Sequence, residues 1–227
     1  MIIGKRKPLE QIFELLAPYE KILIVGCGTC VTVCMAGGLK EAEETAAALR
    51  LKRQQEGRPV QVRARAVERQ CEPEFLELLD AELAGCEAVL SLACGVGVQC
   101  CNLFRPEKLI LPGLDTCGCG YPVKQGIWQE NCLSCGDCRL DRTGGICPLA
   151  RCPKGIQNGP CGGTRRNGKC ELNPASDCAW VLIYNRLAAL GKLALLEEIQ
   201  PPKDWSRAFF GGPRRLERED VQLEEAR

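Results

Sequence analysis

The sequence KILIVGCGTCVTVC occupies residues 21–34 and predicts how the first half of the chain folds. Its apolar run, Lys21 to Val25, enters a Gly/Cys turn, which is the pattern of a buried strand. Further along the chain, strands are predicted at 60–67, 88–93 and 109–111, and helices at 38–55 and 73–83. Alternating strands and helices are typical of a parallel sheet, so we predict a small Rossmann-like α/β domain over residues 1–125.

The turn after the first strand carries cysteines where a dinucleotide-binding fold would place its phosphate loop. Gly26 and Gly28 supply only half of the G-x-G-x-x-G pattern, and Val31 takes the place of the third glycine. No acidic residue ends a second strand about twenty residues further on. A nicotinamide site is therefore not expected at this turn.

The composition excludes several kinds of chemistry, because the 227 residues include 18 cysteines and no histidine. Ser-His-Asp catalysis, His-ligated zinc, Rieske centres and His-ligated haem cannot be built from this chain alone. The net charge of +1, from 30 basic and 29 acidic side chains, indicates neither nucleic acid nor membrane as a partner. No secretory signal and no apolar run long enough for a membrane span are present. We therefore predict a reducing cytoplasm, in which most of these thiols bind metal.

Residues 126–180 differ in amino-acid composition from the first domain. They are rich in Cys, Gly and Pro, and no aromatic residue occurs between Gln129 and Ala179. Such a segment buries little apolar area, so we expect metal bonds to hold it together. The C-terminal part, 181–227, is predicted as an amphipathic helix, which begins near Ala179 and extends to Ile199, and a polar tail. The helix stripe is formed by Trp180, Ile183, Tyr184, Leu187 and Leu190.

Five cysteines are expected at one edge of the α/β sheet, because the carboxyl ends of parallel strands share that edge. They follow the first three predicted strands and are Cys27, Cys30, Cys34, Cys71 and Cys94. Four of them would ligate one [4Fe-4S] cluster, and a single zinc knuckle with the remaining thiols buried is the alternative. Five further cysteines receive no assignment: Cys86, Cys100, Cys101, Cys117 and Cys119.

The last eight cysteines suit two four-thiolate sites. Cys132, Cys135 and Cys138 have the C-x2-C-x2-C spacing that opens a bacterial ferredoxin motif, and Cys147 follows after a longer interval. The other four are Cys152, Cys161, Cys170 and Cys178. Zinc is the alternative to iron at one of these sites. Residues 132–170 hold seven Lys or Arg against two Asp, and this positive charge favours an anionic cluster. The alternative is an RNA-binding zinc ribbon, but the segment lacks the interleaved aromatic residues on which bases would stack.

The strings TGGICP, CPKG and NGPCGG within residues 132–187 resemble the cysteine-rich methylenetetrahydrofolate reductase C-terminal family. ILIVGCGTCVTVCMAGGLKEAEE near the N-terminus and LACGVGVQ at 92–99 resemble the α/β half of the same family. As a stand-alone chain, the sequence is similar to the small iron-sulfur V subunits of these reductases in acetogens. Cys100, Cys101, Cys117 and Cys119 depart from the family pattern.

The resemblance implies an electron-transfer subunit with at least two [4Fe-4S] clusters, and with a third cluster or zinc as alternatives. Its partner would be a flavin-bearing catalytic subunit that reduces methylene- to methyl-tetrahydrofolate in the Wood-Ljungdahl pathway, and further electron-donating subunits would join the complex. No flavin or folate motif occurs in this chain, which agrees with that division. The alternative is a non-enzymatic zinc module that organises a complex or binds nucleic acid. Trp205, Phe209 and Phe210 in the tail are expected to dock on the partner.

Overall fold

The computed structural model describes residues 1–208 and consists of two compact units. The first unit is Met1–Glu130, and the second begins at Asn131. The first unit contains, in chain order, β1 (Ile2–Arg6), α1 (Leu9–Leu16), β2 (Lys21–Cys27), α2 (Cys30–Val33), α3 (Leu39–Gln55), β3 (Gln61–Val67), α4 (Pro73–Glu77), α5 (Asp80–Ala84), β4 (Ala88–Ser91), α6 (Gly95–Phe104), β5 (Leu109–Pro112), β6 (Leu114–Lys124) and β7 (Ile127–Glu130). The second contains α7 (Pro148–Arg151), α8 (Ala179–Ala189) and 3-10 helices at Leu193–Leu196 and Trp205–Arg207.

A parallel sheet of four strands, in the order β3-β2-β4-β5, forms the centre of the first unit. The side chains of its inner strand β2 point alternately to the two faces of the sheet, and both faces are covered. Ile22 and Ile24 pack in one apolar cluster that contains Leu49 of α3. Leu23 and Val25 pack in a second cluster with residues of α4 and α5. The predicted Rossmann-like α/β class is confirmed.

A second sheet, in the order β1-β6-β7, was not predicted from the sequence. Its strands are antiparallel, and β6 has the sequence LDTCGCGYPVK, in which glycine and proline are residues that strands disfavour. The pairing is also non-local, since Ile2 lies opposite Cys119. The local sequence of β6 therefore does not indicate a strand.

Two predicted helices differ from the expectation, one by a break and the other by an early end. The helix predicted at 73–83 is broken into α4 and α5 around Leu78 and Leu79. The helix predicted to reach Ile199 ends at Ala189, because Gly191 adopts the left-handed conformation with φ of 65°. The N–H of Lys192 then donates to the carbonyl of Leu187 at 2.9 Å, which closes the helix in a Schellman motif.

The second unit has a small apolar core of its own. Trp180, Ile183 and Leu187 on α8 are buried together against Ile146 and Ile156. The indole N–H of Trp180 donates to the carbonyl of Ile156 at 3.0 Å. The buried face is narrower than the predicted stripe, since the side chains of Tyr184 and Leu190 are exposed. Across residues 1–208, the structure contains no helix of the length and apolar character that a bilayer crossing requires.

Candidate metal centres

The carboxyl edge of the parallel sheet brings together the loops after β2, β3 and β4. The chain passes from β2 to β3 on one side and then crosses to β4 on the other, so the topological switch point lies between β2 and β4. Open α/β sheets bind ligands in the crevice at this point. Cys27 is the last residue of β2, Cys94 is the N-cap of α6 after β4, and Cys71 follows β3.

The turn after β2 is shaped by close backbone contacts. A Cβ atom at Gly26 would lie 2.6 Å from the carbonyl oxygen of Gly38, so only glycine fits there. The turn leads into the short helix α2, which begins at Cys30 and is capped by Cys34. Cys27 and Cys34 are buried, whereas Cys30 is partly exposed. The first three candidate ligands therefore belong to one rigid turn.

The thiol of Cys71 has Cys27 and Cys94 as electrostatic neighbours. Burial raises the pKa of Cys71, and repulsion from the thiolates of Cys27 and Cys94 raises it further. These electrostatic interactions indicate that Cys71 lies near Cys27 and Cys94. Their role as metal ligands remains a prediction.

A second group at this edge contains a residue that the sequence analysis left unassigned. The pKa of Cys34 is raised by burial and by repulsion from Cys30 and Cys117. Cys34 Sγ also donates to the carbonyl of Ile2 on β1 at 3.4 Å, and Cys117 lies on β6, the neighbour of β1. Cys117 could not be assigned from the sequence because β6 itself was not predicted.

Two other unassigned cysteines, Cys86 and Cys101, are buried in the apolar interior. Cys86 precedes β4, at the opposite edge of the sheet, and its thiol donates to the carbonyl of Leu83 at 3.3 Å. Burial raises the pKa of Cys101 to about 12, with smaller contributions from Cys100 and Cys27. In the metal-free chain a thiol with that pKa is protonated at neutral pH, and Cys101 Sγ lies within hydrogen-bond distance of Gln70 Oε1 at 3.5 Å.

The last eight cysteines surround two separate cavities in the second unit. The larger cavity has a volume of about 180 Å³ and is lined by Cys132, Cys135, Cys138 and Cys147. The smaller cavity has a volume of about 20 Å³ and is lined by Cys152, Cys161, Cys170 and Cys178. A single water needs roughly 10–15 Å³ measured in this way. The smaller cavity thus has room for about one atom-sized guest, and the larger one for a group of atoms.

The loop around the larger cavity depends on two left-handed residues. Gly136 has φ of 75°, and a Cβ there would meet the backbone of Arg207 at 2.4 Å, so the position requires glycine. Ser134 has φ of 50°, and its N–H donates to Cys132 Sγ at 3.3 Å. This conformation aims a backbone donor at a candidate ligand, as at iron-sulfur sites.

Positive charge dominates the lining of the larger cavity. Arg139, Arg142 and Lys203 line it together with one carboxylate, Asp137. Lys203 Nζ donates to the backbone carbonyl of Asp137 at 2.7 Å and pairs with its carboxylate at 3.2 Å. The hydrogen bond from Lys203 is the main cause that lowers the pKa of Asp137. The cations that face the cavity would stabilise an anionic guest.

The first residues of the predicted docking tail contact their own unit, and the docking of the tail on a partner stays a prediction. Lys203 and Ala208 are buried, and Lys203 binds the loop of the larger cavity in the same unit. Trp205 is about half exposed and lies 5.8 Å from the ammonium of Lys203. Phe209 and Phe210, the other aromatic residues of that prediction, lie outside the described residues.

Hydrogen bonds to sulfur surround the smaller cavity. Thr164 Oγ1 lies 3.1 Å from Cys178 Sγ, and the N–H of Gly163 donates to Cys161 Sγ at 3.4 Å. Burial raises the pKa of Cys178, but the hydrogen bond from Thr164 and backbone N–H groups at the start of α8 outweigh it, so the pKa is lowered overall. Lys154 donates to Cys161 Sγ at 3.6 Å. These donors favour thiolates over thiols at this cavity.

The donor set of both cavities consists of cysteine sulfur, which fits soft metals and iron-sulfur clusters. The thiols line the cavities without touching: in residues 1–208, no three Cys, Asp or Glu side chains stand close enough to coordinate an ion. A guest that fills the cavity would have to bridge the distance between the thiols. The larger cavity and its cationic lining suit a cubane, and the smaller one has room for a single ion, which its thiols would have to move inward to bind.

Residues 111–206 match the family model described as methylene-tetrahydrofolate reductase C terminal. This segment is similar to that family. The match confirms the resemblance carried by the CPKG and NGPCGG strings, and the methylene-tetrahydrofolate reductase C-terminal segment includes all eight cysteines of the two cavities. The resemblance of the N-terminal strings to the same family stays a prediction. No curated protein and no solved structure matches the chain.

Proposed function

We propose that this chain is an electron-transfer subunit of a methylenetetrahydrofolate reductase and carries metal centres at three places. These are the carboxyl edge of the parallel sheet, the larger cavity and the smaller cavity. The reduction of the folate takes place on a flavin-bearing partner subunit. The similarity of residues 111–206 to the reductase family supports the association with such an enzyme.

One observation carries the proposal: the fold sorts the last eight cysteines into two sets of four, each around its own cavity. The sets follow chain order, so the first four thiols serve one cavity and the last four serve the other. Cysteines with no ligand role would have no reason to divide into complete four-thiolate sets.

The larger cavity is the candidate for a [4Fe-4S] cluster. The four thiols would bind the iron, and a bound cluster would supply one-electron redox chemistry. Arg139, Arg142 and Lys203 offset its negative charge, and the N–H of Ser134 bonds a ligand sulfur. Hydrogen bonds to sulfur and nearby charge are the means by which a protein tunes the potential of such a group.

The smaller cavity is the candidate for a single zinc ion. Its volume of about 20 Å³ suits one tetrahedral ion, and its thiol Cys178 has a lowered pKa, as a zinc ligand requires. This cavity is also the observation that favours the second candidate function, a structural zinc module that organises a complex. The two functions differ in whether iron occupies the other sites.

The sheet edge is the candidate for a second [4Fe-4S] cluster. Cys27, Cys71 and Cys94 follow the three strands at the switch point, and the turn after β2 also supplies Cys30 and Cys34. Four of these five thiols complete a cubane ligand set. The proposal thus assigns a redox centre to each of the two units.

The test uses single serine variants of the full chain, purified anaerobically together with its partner. Cys135→Ser should lose about four iron atoms per chain and keep its zinc, because only the larger cavity is affected. Cys170→Ser should lose about one zinc and keep its iron. The matched control is Cys100→Ser, which removes a thiol outside both cavities and should change neither metal.

Two results would overturn parts of the proposal. Loss of about four iron atoms from Cys170→Ser would show that a cluster occupies the smaller cavity. A wild-type chain that contains zinc but no iron would exclude the electron-transfer function and establish the structural module.

A further inference from the structure

Gln70 is a fully buried polar side chain at the switch point of the sheet, with 0% of its surface exposed. It follows β3 and reaches across to β2, where its amide Nε2 donates to the carbonyls of Val25 and Gly26 at 2.9 and 3.0 Å. Its Oε1 accepts a hydrogen bond from Ser91 Oγ at 2.6 Å. One side chain thus connects the ends of three neighbouring strands.

The chemistry of this position requires a carboxamide. Both amide hydrogens of Gln70 bind carbonyl oxygens, while Oε1 accepts from the hydroxyl of Ser91 and the thiol of Cys101, the latter at 3.5 Å. A carboxylate would place an oxygen against the two carbonyls, and an apolar side chain would remove all four of these hydrogen bonds. The space is also tight, because a Cβ at Gly97 would lie 3.2 Å from Gln70 Cβ.

Each end of this network lies next to a candidate ligand of the sheet-edge cluster. Gly26 directly precedes Cys27, and Gln70 directly precedes Cys71. On the third strand, Ser91 Oγ also accepts from the N–H of Ala93 at 3.2 Å, and Ala93 directly precedes Cys94. The three cysteines are therefore fixed one residue away from a single hydrogen-bonded group.

We propose that Gln70 is a positioning residue that holds Cys27, Cys71 and Cys94 in place for a cluster at the switch point. The inference rests on the proposed function of the sheet edge as a cluster site. The alternative is that Gln70 only satisfies buried strand ends and contributes to stability without any effect on the cysteines.

The first measurement needs no metal. In the apo form of the full chain, Cys27 and Cys86 are both buried cysteines of the first unit, at opposite edges of the sheet. Gln70→Met should raise the rate at which iodoacetamide alkylates Cys27 about tenfold. The variant lacks the amide hydrogen bonds to the end of β2, so this end opens more often and exposes the thiol. The rate at Cys86 should not change. Mass spectrometry of the two peptides gives both rates from one sample.

A destabilising control separates positioning from stability. Leu79→Ala removes a buried apolar side chain that packs in the same cluster as Cys86 and makes no hydrogen bond to Gln70. It should lower the melting temperature and raise the alkylation rate of Cys86, but leave Cys27 less affected than Gln70→Met does. If Gln70→Met accelerates Cys27 and Cys86 equally, Gln70 acts on stability alone and the proposal is wrong.

The second measurement uses the metal-loaded complex. Gln70→Met should lose about four iron atoms per chain and one of the reduced EPR signals, while Leu79→Ala and the exposed Gln99→Met keep them. Full iron content and an unchanged EPR spectrum in Gln70→Met would overturn the proposal. A wild-type chain without sheet-edge iron would instead refute the proposed cluster, and the apo alkylation rates would still decide whether Gln70 positions Cys27.

Discussion

The second unit offers a direct test of its packing, through Trp180. The side chain is 6% exposed, packs with Ile183 and Leu187, and donates its indole N–H to Ile156. Replacing a buried tryptophan by alanine costs about 3–5 kcal/mol. Trp180→Phe keeps most of the apolar area but leaves the carbonyl of Ile156 without its donor, which costs about 1 kcal/mol.

Hydrogen exchange at α8 measures this loss locally, in metal-loaded protein. A loss of about 3–5 kcal/mol corresponds to a fall in protection of about two to three and a half orders of magnitude. Protection of β2 should not change, because β2 is buried in separate apolar clusters. If the protection of α8 in Trp180→Ala stays within threefold of the wild-type value, Trp180, Ile183 and Leu187 do not form the core of the second unit.

Three further predictions concern single sites. Cys94→Ser should lose about one cluster's iron and keep the metals of the second unit; unchanged iron and EPR would show that Cys94 is not a ligand. Thr164→Val removes the hydrogen bond that lowers the pKa of Cys178, so the pH profile of Cys178 alkylation in apo protein should move to higher pH, and an unmoved profile would exclude that cause. Truncation after residue 208, which removes Phe209 and Phe210, should leave metal content intact and weaken co-purification with the flavin subunit; unchanged co-purification would contradict tail docking.

The parallel sheet could be predicted because its signals are local. KILIV at 21–25 is a continuous apolar run, and the alternation of VQVRARAV matches a strand with one polar face. The structure places strands at both positions. In contrast, β6 is stabilised by pairing with β1, more than a hundred residues away in the chain, and its Gly- and Cys-rich sequence shows no periodicity.

The candidate sites show the same division between local and long-range information. Cysteine spacing sufficed to group Cys132, Cys135 and Cys138, because two-residue spacers keep all three within one loop. The position of Cys117 beside Cys34 depends on the antiparallel sheet and could not be derived without it. Likewise, Gln70 has no motif, since its role arises only where three strand ends meet.

The helix stripe illustrates a third kind of limit. The period of α8 was correct, but Tyr184 is 53% exposed because the core of the second unit is only wide enough for Trp180, Ile183 and Leu187. Periodicity gives the direction of a buried face and leaves its width undetermined. The width depends on what packs against the helix.

The most direct test of the account is the metal content of the wild-type chain, purified anaerobically and analysed for iron, zinc and acid-labile sulfide, with an EPR spectrum after reduction. The account predicts about eight iron atoms, about eight sulfide ions and about one zinc ion per chain, together with EPR signals from reduced clusters. These correspond to a cubane at the sheet edge, a cubane in the larger cavity and one ion in the smaller cavity. A colourless chain that holds only zinc and gives no EPR signal after reduction would contradict the electron-transfer function.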